Sequence, residues 1–459
     1  MNSRQSAAAR QQRRVLSRAQ STDAYGFFNL LTGPQLLADV EELLPAHRER
    51  MFPPTETLSM YMAQALSADG SCQQAVDDAA VKRLVAGMPV CSHRTAAYCK
   101  ARARVPLTMI STLAQRVGAM LAGDAAHWWL WRSKRVCLAD GATVTMADTE
   151  ENQAEYPQPG SQREGLGFPM MRVVALMCLA SGALLDAATG PCQGKGSDEQ
   201  TLLRGMLDHL ARGDVLLGDA FFPTYFLLCE LLRRGVDGLF EQYGARKRST
   251  DFGTGERLGV RDHLIVWNKP KKPDWMSQEE YDQVPETLKV RELDAGGKIM
   301  VTTFLSPKET PKGMLKALYK SRWNVELDLR NIKTTLGMEH LRCKTPELAL
   351  KELWVYLLAY NLIRLLMAQA ALLADQIPRQ LSFKHTVQVW IAWQQRSGGT
   401  HDAVCIRALL VLIAEPRVGR RSGRIEPRVL KRRAKKYPLM TQPRAAAREE
   451  VRLNGHPKK

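Results

Sequence analysis

The sequence lacks the cysteine spacings that mark metal-binding or redox motifs. Its nine cysteines are scattered along the chain, several within apolar runs, and no two form a CxxC pair. This distribution is typical of reduced, mostly buried thiols in a cytosolic protein and argues against a structural zinc site. The arginine-rich N-terminus also lacks the apolar core of a signal peptide. We therefore expect a cytoplasmic protein.

Long hydrophobic runs are equally scarce. The most apolar long segment, residues 353–371, is interrupted by Asn361 and Arg364. Its charge-free part is well short of the roughly 18 residues that a membrane span needs. We interpret this segment as a buried helix and expect no membrane partner.

Acidic residues are missing where the basic ones concentrate. Residues 1–20 hold five arginines and no acid, and residues 417–459 hold fifteen lysines or arginines against three acids. The chain of 459 residues carries a formal net charge of +18, so the part between these ends is nearly neutral. Charge distributed in this way indicates nucleic-acid-binding tails rather than a uniformly basic body.

The first part of the chain shows the apolar spacing of helices, and we assign residues 1–133 to a helical N-terminal DNA-binding region. Within it, a candidate helix at residues 92–104 places several cations, including Arg102 and Arg104, around Tyr98. Cations on a helix beside an aromatic ring can contact phosphates and bases. An ordinary solvated basic helix explains the same pattern equally well.

From residue 134 the pattern changes to short apolar runs with the length of strands. A first run ends in Asp140, after which Gly141 is predicted to turn the chain, and a later buried run ends in Asp219. The other predicted elements alternate with these runs: strands at 143–146, 171–180, 183–189 and 236–240, and helices at 198–211 and 223–234. Strands and helices in this order predict an α/β core with its site at one strand edge.

The remainder divides by composition into three parts. A strand-like, Gly-, Lys- and Pro-rich insertion spans residues 241–307 and interrupts the core, whose first part is 134–240. The second part of the core spans 308–370, and residues 371–459 form a helical C-terminal region with a basic tail.

Residues 319–333 are predicted to form one amphipathic helix. Its apolar positions recur mostly at three- and four-residue steps, as on the buried stripe of a helix: Leu318, Val325, Leu329, Ile332 and Leu336. Beside that stripe, one edge of the helix carries a phenol, two cations and a carboxylate: Tyr319, Arg322, Glu326 and Lys333. A solvated face with an Arg322–Glu326 pair explains any single charge pair here.

Three acids are therefore candidates for one site, namely Asp140, Asp219 and Glu326. Converging carboxylates can hold two Mg²⁺ ions, or Mn²⁺, and such a pair serves in-line phosphoryl displacement. Asp148 is the second choice for the first position because it lies beyond the predicted turn.

The spacing of Tyr319, Arg322, Glu326 and Lys333 resembles the YREK signature of the IS-four family of insertion-sequence transposases. The contexts of Asp140, Asp219 and Glu326 resemble the DDE triad of that family, so these acids would be catalytic and bind the metal. The resemblance implies a ribonuclease-H-like mixed sheet with flanking helices, interrupted by the β-rich insertion. It also implies that Tyr319, Arg322 and Lys333 hold phosphates near the transposon end.

Relatives use tryptophans to secure a flipped base during hairpin chemistry. Trp323 matches one such position, and the insertion offers Trp267 and Trp275, between which the sequence does not decide. Of these two, we include Trp267 among the predicted DNA-binding residues.

The leading hypothesis is a DNA transposase that cuts at its element's ends and joins them to a target, and the resemblance implies that the cut proceeds through a hairpin. Its partners would be terminal inverted-repeat DNA and target DNA, and the family implies a homodimer in a synaptic complex. The alternatives are a nuclease of the same fold without strand joining and a DNA-binding protein with a dead core.

Overall fold

We analysed a computed structural model of the chain. It describes the following residues: 42–44, 50–67, 69–85, 87–194, 196–242, 244–396, 403–415 and 440–455. The predicted N-terminal tail and most of the predicted basic tail lie outside these residues.

The described helices and strands follow one another along the chain in this order: α1 (Pro54–Leu66), α2 (Cys72–Val85), α3 (Ala96–Arg104), α4 (Leu107–Gly123), β1 (Val136–Thr145), α5 (Glu150–Glu155), β2 (Met170–Cys178), β3 (Leu184–Pro191), α6 (Glu199–Arg204), β4 (Val215–Gly218), α7 (Tyr225–Arg233), β5 (Asp237–Glu241), α8 (Gly244–Ser249), β6 (Glu256–Gly259), β7 (Asp262–Asn268), α9 (Gln278–Gln283), β8 (Thr287–Asp294), β9 (Ile299–Thr302), α10 (Lys312–Lys320), α11 (Trp323–Arg330), α12 (Pro346–Leu373), α13 (Phe383–Arg396), α14 (Ala403–Ala414) and α15 (Arg444–Asn454).

The strands form one nine-stranded sheet in the order β3-β2-β1-β4-β5-β9-β8-β7-β6. In its first half, β1 pairs antiparallel with β2 and parallel with β4, and β4 pairs parallel with β5. β4 is fully buried because it is a short apolar run between two parallel neighbours. This mixed sheet with flanking helices confirms the predicted fold class.

Strand β1 differs from its prediction. The chain does not turn at Gly141, and β1 continues for ten residues, with Asp140 opposite Ala175 of β2. The half-buried polar and small residues from Asp140 onwards interrupt the apolar run in sequence. The ladder with β2 nevertheless extends through Thr145 and keeps the strand continuous.

The insertion extends the core sheet instead of forming a separate layer over it. β9 returns to pair antiparallel with β5, where Val301 lies opposite Phe240. β8, β7 and β6 then continue the sheet outward in antiparallel order. The insertion and the core therefore share one hydrogen-bonded sheet.

The long helix α12 packs against α4 and crosses the protein interior. By length and apolar composition this 28-residue helix resembles a membrane span, but 89% of its most apolar window is buried within the protein. Asn361 in its middle accepts a hydrogen bond from Leu184 N at 2.8 Å and donates to Ala114 O at 2.8 Å. The prediction of a buried helix is confirmed.

The predicted continuous helix over residues 319–333 is divided. α10 ends at Lys320 and α11 begins at Trp323, and the joint is tightened by short-range bonds such as Arg322 N to Tyr319 O at 3.0 Å. After α11, Asn331–Thr335 form a wider π-helical turn. Irregular turns of this kind change which face a side chain occupies, and they are common at functional sites.

Candidate active site

Asp140 and Asp219 are brought together by the register of two neighbouring parallel strands. Leu138 of β1 lies opposite Leu217 of β4, and each acid follows its leucine by two residues. Hydrogen-bonded strands lie roughly 4.8 Å apart. The two acids therefore lie at the same level of the sheet, just beyond the end of β4, although β1 continues past this level instead of ending at Asp140 as predicted.

The backbone orients both carboxylates. Gly141 N donates to Asp140 Oδ1 at 2.9 Å, and Phe221 N donates to Asp219 Oδ1 at 2.8 Å. Burial raises the pKa of Asp140 to about 6, and the negative charges of Asp219 and Glu326 act in the same direction. Arg322 and the Gly141 N–H oppose this rise. Burial therefore outweighs the neighbouring guanidinium of Arg322 in setting the pKa of Asp140.

Glu326 lies on α11, and the side chain of Arg322 links Glu326 to Asp140 of β1. Arg322 Nη2 lies 2.7 Å from Glu326 Oε1, one helical turn away, and Arg322 Nη1 lies 3.4 Å from Asp140 Oδ2. The pair is half sheltered from solvent, with 16% of the Arg322 side chain exposed. A solvated surface pair is therefore not an adequate description of this contact.

A buried ion cluster anchors the helix that carries Glu326. Asp328 is fully buried, and its carboxylate accepts from Arg364 of α12 and from Arg379, whose Nη2 lies 2.8 Å from Oδ2. Arg379 also donates to the Cys178 carbonyl at the end of β2 at 3.1 Å. The same helix is thus tied to α12 and to the sheet.

The donor chemistry of the three acids fits a hard divalent cation, since they offer carboxylate oxygens only. Among the residues that the structure describes, no three acidic, histidine or cysteine side chains converge on one point. Arg322 lies between Asp140 and Glu326 and supplies positive charge there. Binding of a metal ion by these acids would therefore require the Arg322 guanidinium to move aside.

The other residues of the YREK signature surround this group. Tyr319 is buried, and burial followed by the charges of Glu241 and Asp219 raises the pKa of its phenol. Lys333 lies in the π-helical turn, is half buried, and forms no ion pair with any described residue. The ring of Trp323 is 58% exposed.

The predicted basic helix is corrected in part. Arg102 is buried, and its guanidinium lies over the rings of Tyr61 and Tyr98, 4.7 and 5.4 Å from their centroids. It therefore packs the helical region and does not present a charge to DNA. Arg104 is exposed at the end of α3, and its DNA contact stays a prediction.

The structure also separates the two tryptophans of the insertion. Trp267 is only 7% exposed, its ring is covered by Arg246 at 3.7 Å, and its Nε1 donates to Glu292 at 3.2 Å. These contacts contradict the predicted DNA contact of Trp267. Trp275 is 49% exposed and stacks with Arg204 at 3.9 Å.

Trp275 lines a cavity of about 470 Å³ beside the Asp219 loop. Its walls combine aromatic rings, prolines and a few polar groups: Gln200, Arg204, Ala220, Phe221, Pro223, Thr224, Tyr225, Phe226, Gln242, Arg246, Pro270, Pro273 and Trp275. Gln242 is buried, and its Oε1 has no hydrogen-bond partner in the described part of the chain. Sequence reasoning missed this cavity because its residues come from four separate segments that carry no common motif.

Comparisons with known proteins establish the family. The profile of the family described as "Transposase DDE domain" matches residues 131–362. The transposase InsG of insertion sequence element IS4 from Escherichia coli (strain K12) is 28% identical over 320 residues, which are 67% of this chain and 70% of that protein. The transposase of insertion sequence element IS421 from Escherichia coli is 35% identical over 71 residues, 16% of this chain and 19% of that one.

A solved structure of a piggyBac transposase synaptic complex with hairpin DNA covers 85% of both chains with a TM-score of 0.45 and 9% identity. A likeness this distant supports no argument about this protein. The profile match, by contrast, spans half of the chain and includes the positions of Asp140, Asp219 and Glu326. The chain therefore belongs to the DDE transposases and is a DNA transposase of the insertion-sequence type.

Proposed function

We propose that this transposase cuts DNA at the terminal inverted repeats of its element and joins the freed ends to target DNA. The observation that carries the proposal is the alignment of Asp140 and Asp219 at one register level, with Glu326 linked to them through Arg322. DDE transposases use divalent metal ions. Here Asp140, Asp219 and Glu326 would hold them, and we propose two Mg²⁺ ions, with Mn²⁺ as a substitute.

The bound metal would activate the attacking water or hydroxyl and stabilise the oxygens of an in-line displacement. Asp140 and Glu326 would release Arg322 as they take up the cation. The freed guanidinium can then donate two parallel hydrogen bonds to a phosphate, which is a favourable geometry for arginine. Arg322 would thereby hold the scissile phosphate against the carboxylates.

Lys333 and Tyr319 would complete the phosphate contacts. The ammonium of Lys333, which pairs with no acid among the described residues, is available to a DNA phosphate, and the Tyr319 phenol is protonated at neutral pH, since burial raises its pKa further. A phenol with its proton can donate to a phosphate oxygen. We propose that both residues contact phosphates of the same DNA strand.

A hairpin intermediate would require bases to leave the stack beside the cleaved strand. Trp323 exposes its ring next to Glu326, and Trp275 exposes its ring at the cavity beside Asp219. Base stacking on an aromatic ring stabilises a displaced base by about 1–3 kcal/mol. We therefore assign the insertion's stacking role to Trp275 instead of Trp267.

We further propose that the helical region within residues 1–133, including Arg104, and the insertion recognise the transposon ends. The basic tail from residue 417 would add sequence-independent affinity, because each phosphate that lysine or arginine neutralises releases counterions. Two ends must be held together for joining, so we propose a homodimer in the synaptic complex.

The test uses the purified full chain, a DNA duplex that carries one element end with its flank, and a supercoiled target plasmid. With Mg²⁺ we expect cleavage at the end, a hairpin product on a denaturing gel, and joined product in the plasmid. The same mixture with EDTA should bind DNA without cutting it. Cleavage with no joined product at any metal concentration would contradict the proposal and favour a nuclease.

Arg322→Lys is the matched test of the phosphate contact. Lysine keeps the charge but loses the planar pair of donors, so single-turnover cleavage should slow by about 10–100-fold while metal-free DNA binding changes little. Arg233→Lys, on the exposed part of α7, is the control. Equal losses of binding and rate in Arg322→Lys would show that it contributes general affinity alone.

A further inference from the structure

A fourth carboxylate, that of Glu199, lies against the strand that carries Asp140. Glu199 is the first residue of α6, in the connection between β3 and β4. A Cβ atom at position 141 would lie only 2.1 Å from Glu199 Oε1, far inside van der Waals contact. Gly141 therefore leaves the space that the Glu199 carboxylate occupies, directly after Asp140.

Helix α6 is also docked on the loop that carries Asp219. Gln200 Nε2 donates to the carbonyl of Phe221, two residues beyond Asp219. Burial raises the pKa of Glu199, and the negative charge of Asp219 acts in the same direction. Glu199 thus lies between the strand of Asp140 and the loop of Asp219.

Local bonds fix this position. Asp198 caps α6, because its Oδ1 accepts from Thr201 N at 3.1 Å. Arg172 of β2 holds the preceding loop through Nη1, which donates to Ser197 O at 2.8 Å. The start of α6, and with it Glu199, is therefore tied to the sheet.

The Glu199 carboxylate has no hydrogen bond or ion pair with any residue that the structure describes. Its side chain is nevertheless partly buried. Arg172 acts on it through longer-range charge while its own N–H groups bind the Ser197 and Cys192 carbonyls. A partly buried carboxylate without a partner costs free energy that a bound cation would recover.

We propose that Glu199 is a fourth carboxylate of the metal site, which binds a divalent ion together with Asp140 and Asp219, directly or through one metal-bound water. This inference rests on the proposed ligand role of Asp140, Asp219 and Glu326. Mg²⁺ and Mn²⁺ favour oxygen ligands and keep several waters. An additional carboxylate on the Asp140–Asp219 side supplies either a ligand or an acceptor for such a water.

The direct test measures Mn²⁺ binding to the full chain without DNA, with free Mn²⁺ followed by electron paramagnetic resonance. Glu199→Gln keeps the side-chain shape and removes the charge, and it should weaken Mn²⁺ binding by about tenfold or more. Glu199→Asp should retain part of the affinity, because the charge remains. Glu150→Gln, an exposed acid of α5, is the control and should bind Mn²⁺ as the unchanged protein does.

Gly141→Ala tests the geometry independently. Its new methyl group would meet the flexible end of the Glu199 side chain, which must move from its present position. Mn²⁺ affinity should therefore fall by about tenfold in Gly141→Ala. The same substitution in a Glu199→Ala background should cost much less, because the two changes act on one carboxylate and are not additive.

The outcomes separate this inference from the proposed function. Normal Mn²⁺ binding by Glu199→Gln, with strong loss in Asp140→Asn, would overturn the role of Glu199 and leave the three proposed ligands in place. Normal binding by Asp140→Asn and Asp219→Asn as well would overturn both. Metal-free DNA binding and circular dichroism, measured on every variant, establish that the chain is folded in each case.

Discussion

The two halves of the nine-stranded sheet treat buried charge in opposite ways. The insertion half neutralises it in matched pairs: Arg291 and Asp262 are both buried and lie 2.6 Å apart through Nη2 and Oδ2. Glu292, also buried, has hydrogen-bond partners in His263 Nε2 and Trp267 Nε1, each at 3.2 Å. These groups have their partners within the protein and therefore need no ligand from outside.

The core half also contains a paired buried acid, Asp214 with Arg135, but at its candidate site it groups acids that are incompletely paired. Asp140 and Glu326 share the single guanidinium of Arg322, and Asp219 is held by a backbone N–H. Like charges that are grouped and only partly compensated raise the free energy of the folded protein, and such arrangements cluster at functional sites. The difference teaches that the insertion half pairs its buried charges for stability, whereas the core half leaves negative charge that a cation at the proposed metal site would neutralise.

The largest expected effect is in the core half. Asp140→Asn, Asp219→Asn and Glu326→Gln should each reduce Mg²⁺-dependent cleavage of an element end by more than about 10³-fold, or ~4 kcal/mol in the barrier. Asp140→Asn should not lower the free energy of unfolding, because burial disfavours the charged form of Asp140. Single-turnover cleavage and urea unfolding measure the two quantities. A variant that cuts at the unchanged rate does not lack a metal ligand.

In the insertion half, by contrast, replacing one member of a buried ion pair should lower the free energy of unfolding. Arg291→Met leaves Asp262 buried without its partner, and it should lower the free energy of unfolding by about 3–5 kcal/mol. The double change Arg291→Met with Asp262→Leu should recover most of this loss, since no unpaired charge remains. Urea unfolding of the full chain is the measurement.

The matched control is Arg233→Met, which removes an exposed arginine paired with Glu230 at 2.6 Å. Exposed pairs of this kind contribute under about 1 kcal/mol. If Arg291→Met costs no more than Arg233→Met, the buried pair does not stabilise the insertion half, and the contrast between the halves fails.

Sequence patterns predicted the core half better than the insertion half for a physical reason. Buried parallel strands are continuous apolar runs, so β4 and the following Asp219 were recognisable, as was the β2–β3 hairpin. The pairing of β5 with β9 joins residues roughly sixty positions apart. Local periodicity carries no information on such a pairing, and the insertion was therefore predicted as an interruption of the sheet.

The residues of the site could be predicted where they lie on one helix or strand. Features of the site that depend on packing between elements could not. The edge with Arg322 and Glu326 follows from helical spacing, but the joint at Ser321 and the π-helical turn depend on packing against the sheet and α12. Arg102 was misassigned because a cation beside an aromatic ring has the same local pattern whether it packs inward or faces solvent.

A smaller effect should appear in the pH dependence of stability. The pKa of Asp140 is raised to about 6, above its value near 3.9 in an unfolded chain. Its protonated form is therefore favoured in the folded protein, and the stability that this proton contributes is present below about pH 4 and is lost as the pH rises through about 6.

We expect Asp140→Asn to have a higher free energy of unfolding than the unchanged protein when both are measured in EDTA. This difference should grow by about 2–3 kcal/mol between pH 4 and pH 7. Saturating Mg²⁺ at pH 7 should reverse this advantage, because only the unchanged protein keeps the complete set of acids. A difference between the two proteins that is constant over this pH range would show that burial does not raise the pKa of Asp140 in the folded protein.

The smallest effect is expected at the cavity where the two halves meet. Trp275 and Pro273 come from the insertion, whereas Phe221 and Tyr225 come from the core. If a displaced base stacks there, Trp275→Ala should weaken binding of an element end with an unpaired base by about 1–2 kcal/mol. It should weaken binding of fully paired DNA much less.

Trp267→Phe is the control at the cavity, since its buried indole binds Glu292 and its loss should lower stability rather than affect the choice between the two DNAs. Fluorescence anisotropy with the paired and unpaired duplexes, at one salt concentration, measures the difference. Equal weakening of both duplexes by Trp275→Ala would contradict base stacking in the cavity. The cavity would then be a structural contact of the insertion half. The acids and the aromatic side chains that act on DNA would all lie in the core half.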